Sequence, residues 1–223
     1  MNRSFKNILS DPEFYFLLFM NGVLIYLFKK GSLDPVSVVW IFYFQNILIG
    51  IQYFIRMMSL DKFSTGNLRV NNQSVESTTK VKQGTAYFFA LHYGLFHFGY
   101  FILLLVVTAG AGFRHFDFVY FNTAIFALVI NTLFSTISQV RQDRPGLPNI
   151  STMMFIPYLR ILPMHVFLIA GLGLEVKSGI MKPVPGDLFI IFLLLKGLSD
   201  MALYVITNKT WKAKRPRVIS GVS

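Results

Sequence analysis

The chain has 223 residues, of which 54% are hydrophobic, 16% aromatic and 14% charged, with a mean hydropathy of +0.55. Soluble domains carry about a quarter charged residues, so this composition excludes a disordered chain, a collagen and an ordinary soluble enzyme, and describes a polytopic membrane protein. Lys and Arg outnumber Asp and Glu by 21 to 10 and cysteine is absent; the basic excess sets membrane orientation rather than nucleic-acid binding, and disulfides, thiolate metal sites and cysteine nucleophiles are ruled out.

In chain order, six apolar segments stand out at roughly 14–28, 36–57, 85–107, 118–140, 153–174 and 188–206. Without water in the hydrocarbon every backbone amide must be paired within its own segment, so runs near the twenty-residue span are helical; barrel strands would alternate in polarity. The fold class is therefore all-α, an integral membrane bundle of six transmembrane helices forming a single membrane domain over 1–223. The first segment has the basic start of a signal peptide (Arg3, Lys6). Asp11 and Glu13 interrupt the approach, no small-residue cleavage site follows and Lys29-Lys30 closes the run, so it reads as a retained anchor. The stretch 59–84, rich in Ser, Thr, Asn, Gln and Lys, reads as a mobile cytoplasmic linker.

Counting Lys and Arg in the connections puts fourteen on the side of both termini, among them Arg56, Lys62, Arg141, Arg144 and the tail, and five on the other. The positive-inside rule places both termini in the cytoplasm. The basic tail 207–223, with Trp211 at the headgroups, is expected to touch anionic lipid.

Chemistry is expected among polar residues stranded inside the helices. At about 1.5 Å rise per residue, His92, Arg160 and Asp200 fall about 9 to 11 Å below the cytoplasmic surface, with Asn21 of the first helix at a similar depth. Gln45, His97, His165 and Lys196 fall at about 15 to 18 Å. Arg160, Lys196 and Asp200 facing lipid would together cost about 8 to 10 kcal/mol, so they face inward. Lys196 and Asp200, four apart, lie on one helix face within pairing distance, and matched depth makes Arg160 a second partner for Asp200. Asp200 reads as the only acidic residue buried in a helix. Two cations sharing one carboxylate leave a formal surplus of +1, which a neutral histidine, water or an anionic ligand can accommodate.

The histidines carry two readings. His92 and His97 are five apart, about 140° around the helix, so they make no same-face metal pair without His165. Together the three could ligate a metal or haem or relay protons, or each could bond a carbonyl as packing glue. Pro157 and Pro163 bracket Arg160 and each frees a carbonyl one turn back, which suits a helix bordering a pocket as well as a simple kink. The aromatics of the second and third segments read as lipid contact and core. Nucleophile elbows, Walker loops, zincin motifs and paired carboxylates are missing.

The residues Asn21-Gly22, Trp40 to Asn46 with Ile49-Gly50, His92-Tyr93-Gly94 with Phe96, Pro157-Tyr158 and Arg160 with His165, and Lys196 with Asp200 resemble an uncharacterised family of bacterial and archaeal polytopic membrane proteins, a domain of unknown function. The resemblance spans most of the chain. It implies a prokaryotic plasma membrane, assigns no activity or cofactor, and places a glutamate in relatives where this chain has Gln45. The functional expectation is binding or translocation of a small anionic or protonatable ligand at a cluster of His92, His97, Arg160, His165, Lys196, Asp200 and Gln45. Alternatives from other classes are a membrane enzyme or redox protein using the histidines with a metal or haem, and a purely structural subunit.

Overall fold

The computed structural model describes residues 12–66, 69, 70, 72–111, 118–178 and 186–212. Among these are six helices, α1 (Pro12–Lys29), α2 (Pro35–Met58), α3 (Thr79–Ala111), α4 (Phe118–Asp143), α5 (Ile150–Ser178) and α6 (Gly186–Lys212), and a minimal antiparallel hairpin of β1 (Arg69–Val70) and β2 (Gln73–Ser74). Five helices are long and apolar enough to cross a membrane, while the apolar part of α1, Phe14–Lys29, is shorter. The protein is a helical membrane bundle. Arg3, Lys6 and the tail beyond Lys212 lie outside the described residues, as does the side chain of Trp211.

Local chemistry sets the ends of the helices. Gly31, at φ +72°, closes α1: its amide bonds to the Phe28 carbonyl and that of Ser32 to Leu27, a left-handed cap that glycine adopts without a Cβ penalty. Asp34 then caps α2 by accepting from the Ser37 amide at 3.0 Å, with Pro35 as first helical residue. Thr78 accepts from the Val81 amide, so α3 starts at Thr79, ahead of its apolar run. Asn149 caps α5 by accepting from the Ser151 and Thr152 amides.

The stretch read as a mobile linker is partly tied down. The Ser64 amide donates to the Pro148 carbonyl at 2.9 Å, and the Ile150 amide to the Ser64 carbonyl at 3.0 Å, which clips the end of α2 to the start of α5. The Lys82 ammonium donates to the Leu60 carbonyl at 2.8 Å. Backbone pairing and the buried side chains of Leu60 and Phe63 hold this segment.

The bundle is built around α2, which packs on α3, α4 and α5; α3 also meets α5, and α6 lies between α5 and α1. Leu91, Leu95 and Phe98 of α3, Phe126, Leu133 and Phe134 of α4, and Leu195 and Leu198 of α6 are exposed. In a bilayer such rows meet acyl chains, so burying apolar surface gives no preference between interior and exterior, and helix association rests on close packing and interior polar bonds. Gly50 illustrates the packing: a Cβ there would lie 2.4 Å from Cε1 of Tyr93, so α2 and α3 approach as they do because that side chain is missing. Pro157 and Pro163 both sit inside α5, which runs through them.

Candidate functional site

Along α3 the buried positions Ala86, Phe89, Tyr93, His97, Tyr100, Leu104 and Thr108 form one stripe at three- and four-residue spacing. The helical offset between His92 and His97 therefore separates them. His97 is buried in the bundle, whereas His92 is exposed between Phe88, stacked at 5.5 Å, and Phe96, with its Nδ1 2.8 Å from the Tyr158 hydroxyl. His92 is thus on the flank of the cluster and not in its interior.

Inside, tyrosines and amides lock the helices at one level. The Tyr93 hydroxyl donates to the Asn46 carbonyl at 2.8 Å, and the Tyr93 ring stacks on His97 at 4.3 Å. The Tyr43 hydroxyl donates to the His97 carbonyl at 3.3 Å. The Asn46 amide Nδ2 reaches Sδ of Met164 on α5 at 3.5 Å, and the Tyr100 hydroxyl bonds His165 Nδ1. His97 Nδ1 lies 2.9 Å from the Tyr93 carbonyl. A carbonyl only accepts, so Nδ1 carries the proton, and in the neutral ring Nε2 is a bare lone pair.

On α6, Lys196 and Asp200 pair at 2.7 Å between Nζ and Oδ2, both side chains fully buried. The Lys196 ammonium also sits 5.2 Å above the Phe42 ring of α2, and Gly197 beside it packs on Asn21 of α1. The pairing of Arg160 with Asp200 is not formed: among the described residues the carboxylate has Lys196 as its ion-pair partner, and both Asp200 Oδ1 and Arg160 Nε are buried without a hydrogen-bond partner. Matched depth does not fix the direction in which a side chain leaves its helix, and Arg160 sits on α5 while the Asp200 oxygen turns back along its own helix to Lys196.

Gln45 Oε1, Asn46 Oδ1 and His97 Nε2 are likewise buried without a hydrogen-bond partner among the described residues. Most buried polar groups in proteins are bonded, so five such atoms spread over α2, α3, α5 and α6 at neighbouring levels mark a polar interior. His92, His97 and His165 hold different partners, and no three His, Cys, Asp or Glu side chains among the described residues are grouped to hold a metal.

A second buried ion pair was not expected. Arg56 of α2 and Asp143 of α4 meet through Nε to Oδ2 at 2.9 Å and Nη2 to Oδ1 at 3.3 Å, a two-pronged contact with both side chains almost fully buried. Arg56 also lies 4.8 Å from the Tyr53 ring, and one turn along Gln52 donates to Ser135 at 2.9 Å. Asp200 is therefore not the only acidic residue buried in a helix, and Arg56 is an interior partner rather than a loop charge. The signal was available: Gln52 and Arg56 on α2, and Ser135, Gln139 and Asp143 on α4, repeat every four residues and form facing polar stripes. The tyrosine hydroxyls that join α2, α3 and α5 were also missed, because aromatic side chains read as packing.

No curated protein and no solved structure matches the chain. A family profile does, over residues 4–217, nearly the full length and including every side chain of both polar clusters. With its long apolar helices and ionisable interior, the chain belongs to the family of unknown function DUF6498.

Proposed function

We propose that this membrane protein binds, and passes across or holds within the bilayer, a small anionic or protonatable ligand at the polar stratum formed by His97, Arg160, Lys196, Asp200, Asn46 and Gln45. The observation that carries the reading is the Arg160 guanidinium: its Nε is buried with no partner while Asp200 is engaged by Lys196. An ionisable group at membrane depth is expensive and ordinarily has a partner or a pathway to serve. One carboxylate for two cations leaves a formal +1 that an anion would neutralise. His92 and His165, bonded to Tyr158 and Tyr100, flank the stratum and fix ring positions around it.

The test is a thermal-unfolding titration of protein in nanodiscs with small monovalent anions. A ligand that binds only the folded state stabilises it in proportion to RT ln(1 + [L]/Kd). At least one anion is expected to raise the midpoint of the wild type and to leave Arg160→Gln unmoved. If no anion shifts the wild type, or the variant responds equally, the proposal fails. A purely structural role draws on a different observation, that all three intramembrane imidazoles already hold bonds within the bundle; it predicts that His97→Phe lowers stability while no ligand response exists to be lost.

The orientation belongs to the same proposal. With Arg56 withdrawn into the bundle, the side of both termini keeps thirteen basic residues against five, so both termini are placed in the cytoplasm, with the tail against anionic lipid.

A further inference from the structure

The unpartnered atoms do not ask for just any anion. Arg160 Nε–H is a charged donor, for which an anionic oxygen is the strongest acceptor. The others accept. Asp200 Oδ1 has lone pairs only; in the neutral His97 ring Nε2 is the acceptor, because Nδ1–H is committed to the Tyr93 carbonyl; Asn46 turns its NH₂ to Met164 and so presents Oδ1; Gln45 presents Oε1. Asn46, His97 and Asp200 are each more than nine-tenths buried.

These atoms belong to one connected set. Asn46 bonds to Met164, one turn from Arg160 on α5, and its carbonyl receives Tyr93, whose ring covers His97. Tyr158, two residues before Arg160, meets the Tyr93 ring at 5.5 Å, and Lys196, which holds Asp200, lies over Phe42, one turn before Asn46 on α2. The stratum therefore offers one charged donor and several acceptors, with a formal surplus of one positive charge.

Each simple ligand class fails one of these conditions. A carboxylate without hydroxyls satisfies Arg160 and brings its own lone pairs against the acceptors. A polyol or water satisfies the acceptors and leaves the charge. A dianion overshoots the surplus. We infer that the ligand is a small, singly charged oxyanion that keeps at least one O–H: its anionic oxygens meet Arg160, and its hydroxyl donates to His97 Nε2. Hydroxycarboxylates, hydrogencarbonate and dihydrogen phosphate share this chemistry. The inference rests on the anion-binding reading above and adds the hydroxyl requirement.

The experiment compares glycolate with propionate, which differ by a hydroxyl in place of a methyl, on the full chain in nanodiscs, with hydrogencarbonate and phosphate as separate arms that distinguish the sources. A buried acceptor left unsatisfied by the methyl predicts that glycolate binds at least about tenfold more tightly. His97→Phe, which keeps a ring to stack on Tyr93, is expected to bring the ratio close to one while propionate still binds, and His97→Gln, which restores an acceptor, to recover part of it. Arg160→Gln is expected to abolish binding of both. If no anion binds the wild type, the anion-binding reading itself falls. If glycolate and propionate bind equally, or His97→Phe leaves the ratio untouched, only the hydroxyl requirement falls. A preference confined to hydrogencarbonate or to phosphate identifies the source and upholds the chemistry.

Discussion

Removing the charge of Asp200 isolates the energetic basis of the interior cluster. Asp200→Asn preserves volume and hydrogen-bonding capacity but takes away the anion 2.7 Å from Lys196 Nζ, leaving that ammonium and the Arg160 guanidinium in a site with no access to solvent for the former. The Phe42 ring 5.2 Å from Lys196 returns on the order of 2 kcal/mol. Removing one partner of a buried pair costs about 3 to 5 kcal/mol. For a chain of this length that corresponds to a midpoint lower by roughly 6 to 20 °C. Lys196→Met strands the carboxylate instead and is expected to cost a similar amount, whereas the double variant leaves no unpaired charge on α6 and recovers much of the loss. The assay is a double-mutant cycle on unfolding in mixed detergent micelles, with an expected coupling of about 2 to 3 kcal/mol. Single variants within about 0.5 kcal/mol of wild type, or strictly additive effects, would refute the pairing as an energetic unit.

Other consequences follow from particular contacts. Gly50→Ala places a methyl 2.4 Å from the Tyr93 ring, whose hydroxyl is held by the Asn46 carbonyl, and is expected to cost about 1 to 3 kcal/mol in the same unfolding assay; an unchanged midpoint would mean that α2 and α3 are not in close contact there. Asp143→Asn is expected to destabilise by roughly 3 kcal/mol, with Arg56→Gln/Asp143→Asn costing less than the two single changes together; additivity would deny the pair. Because the chain has no cysteine, single cysteines report topology without background: the exposed positions Lys62→Cys and Lys30→Cys are expected to be labelled by an impermeant maleimide from the cytoplasmic and the opposite side respectively, and the reverse pattern would invert the orientation.

What could be read beforehand, and what could not, follows from the range of each interaction. Long apolar runs in a medium without water leave helix as the solution, so the bundle is legible from composition along the chain. The Lys196 and Asp200 pair is legible because it is local, four residues on one helix. The separation of His92 from His97 is contained in their angular offset of about 140° around the helix. Interhelical partnerships are another matter. Arg160 and Asp200 share a level but not a direction, and rotation about each helix axis is fixed by neighbours such as Gly50 against Tyr93, which no single segment reveals. Arg56 and Asp143 lie at the ends of apolar runs, where charges ordinarily meet water, and only the four-residue polar stripes on α2 and α4 betray them. The start of α3 and the clip between Ser64 and Ile150 depend on backbone bonds and a threonine cap in a polar stretch, where hydropathy is silent.

The central claim is that side chains from α3, α5 and α6 converge on an interior that receives an anion beside Arg160. Dipolar-recoupling solid-state NMR on the reconstituted protein, with ¹⁵N in arginine and ¹³C in the carboxylate of glycolate, measures this directly. The account predicts dephasing of the Arg160 Nε signal by a carbon within about 4 Å, lost in Arg160→Gln. Bound glycolate with no coupling to Arg160, or an Arg160 guanidinium in contact with acyl chains, would contradict it.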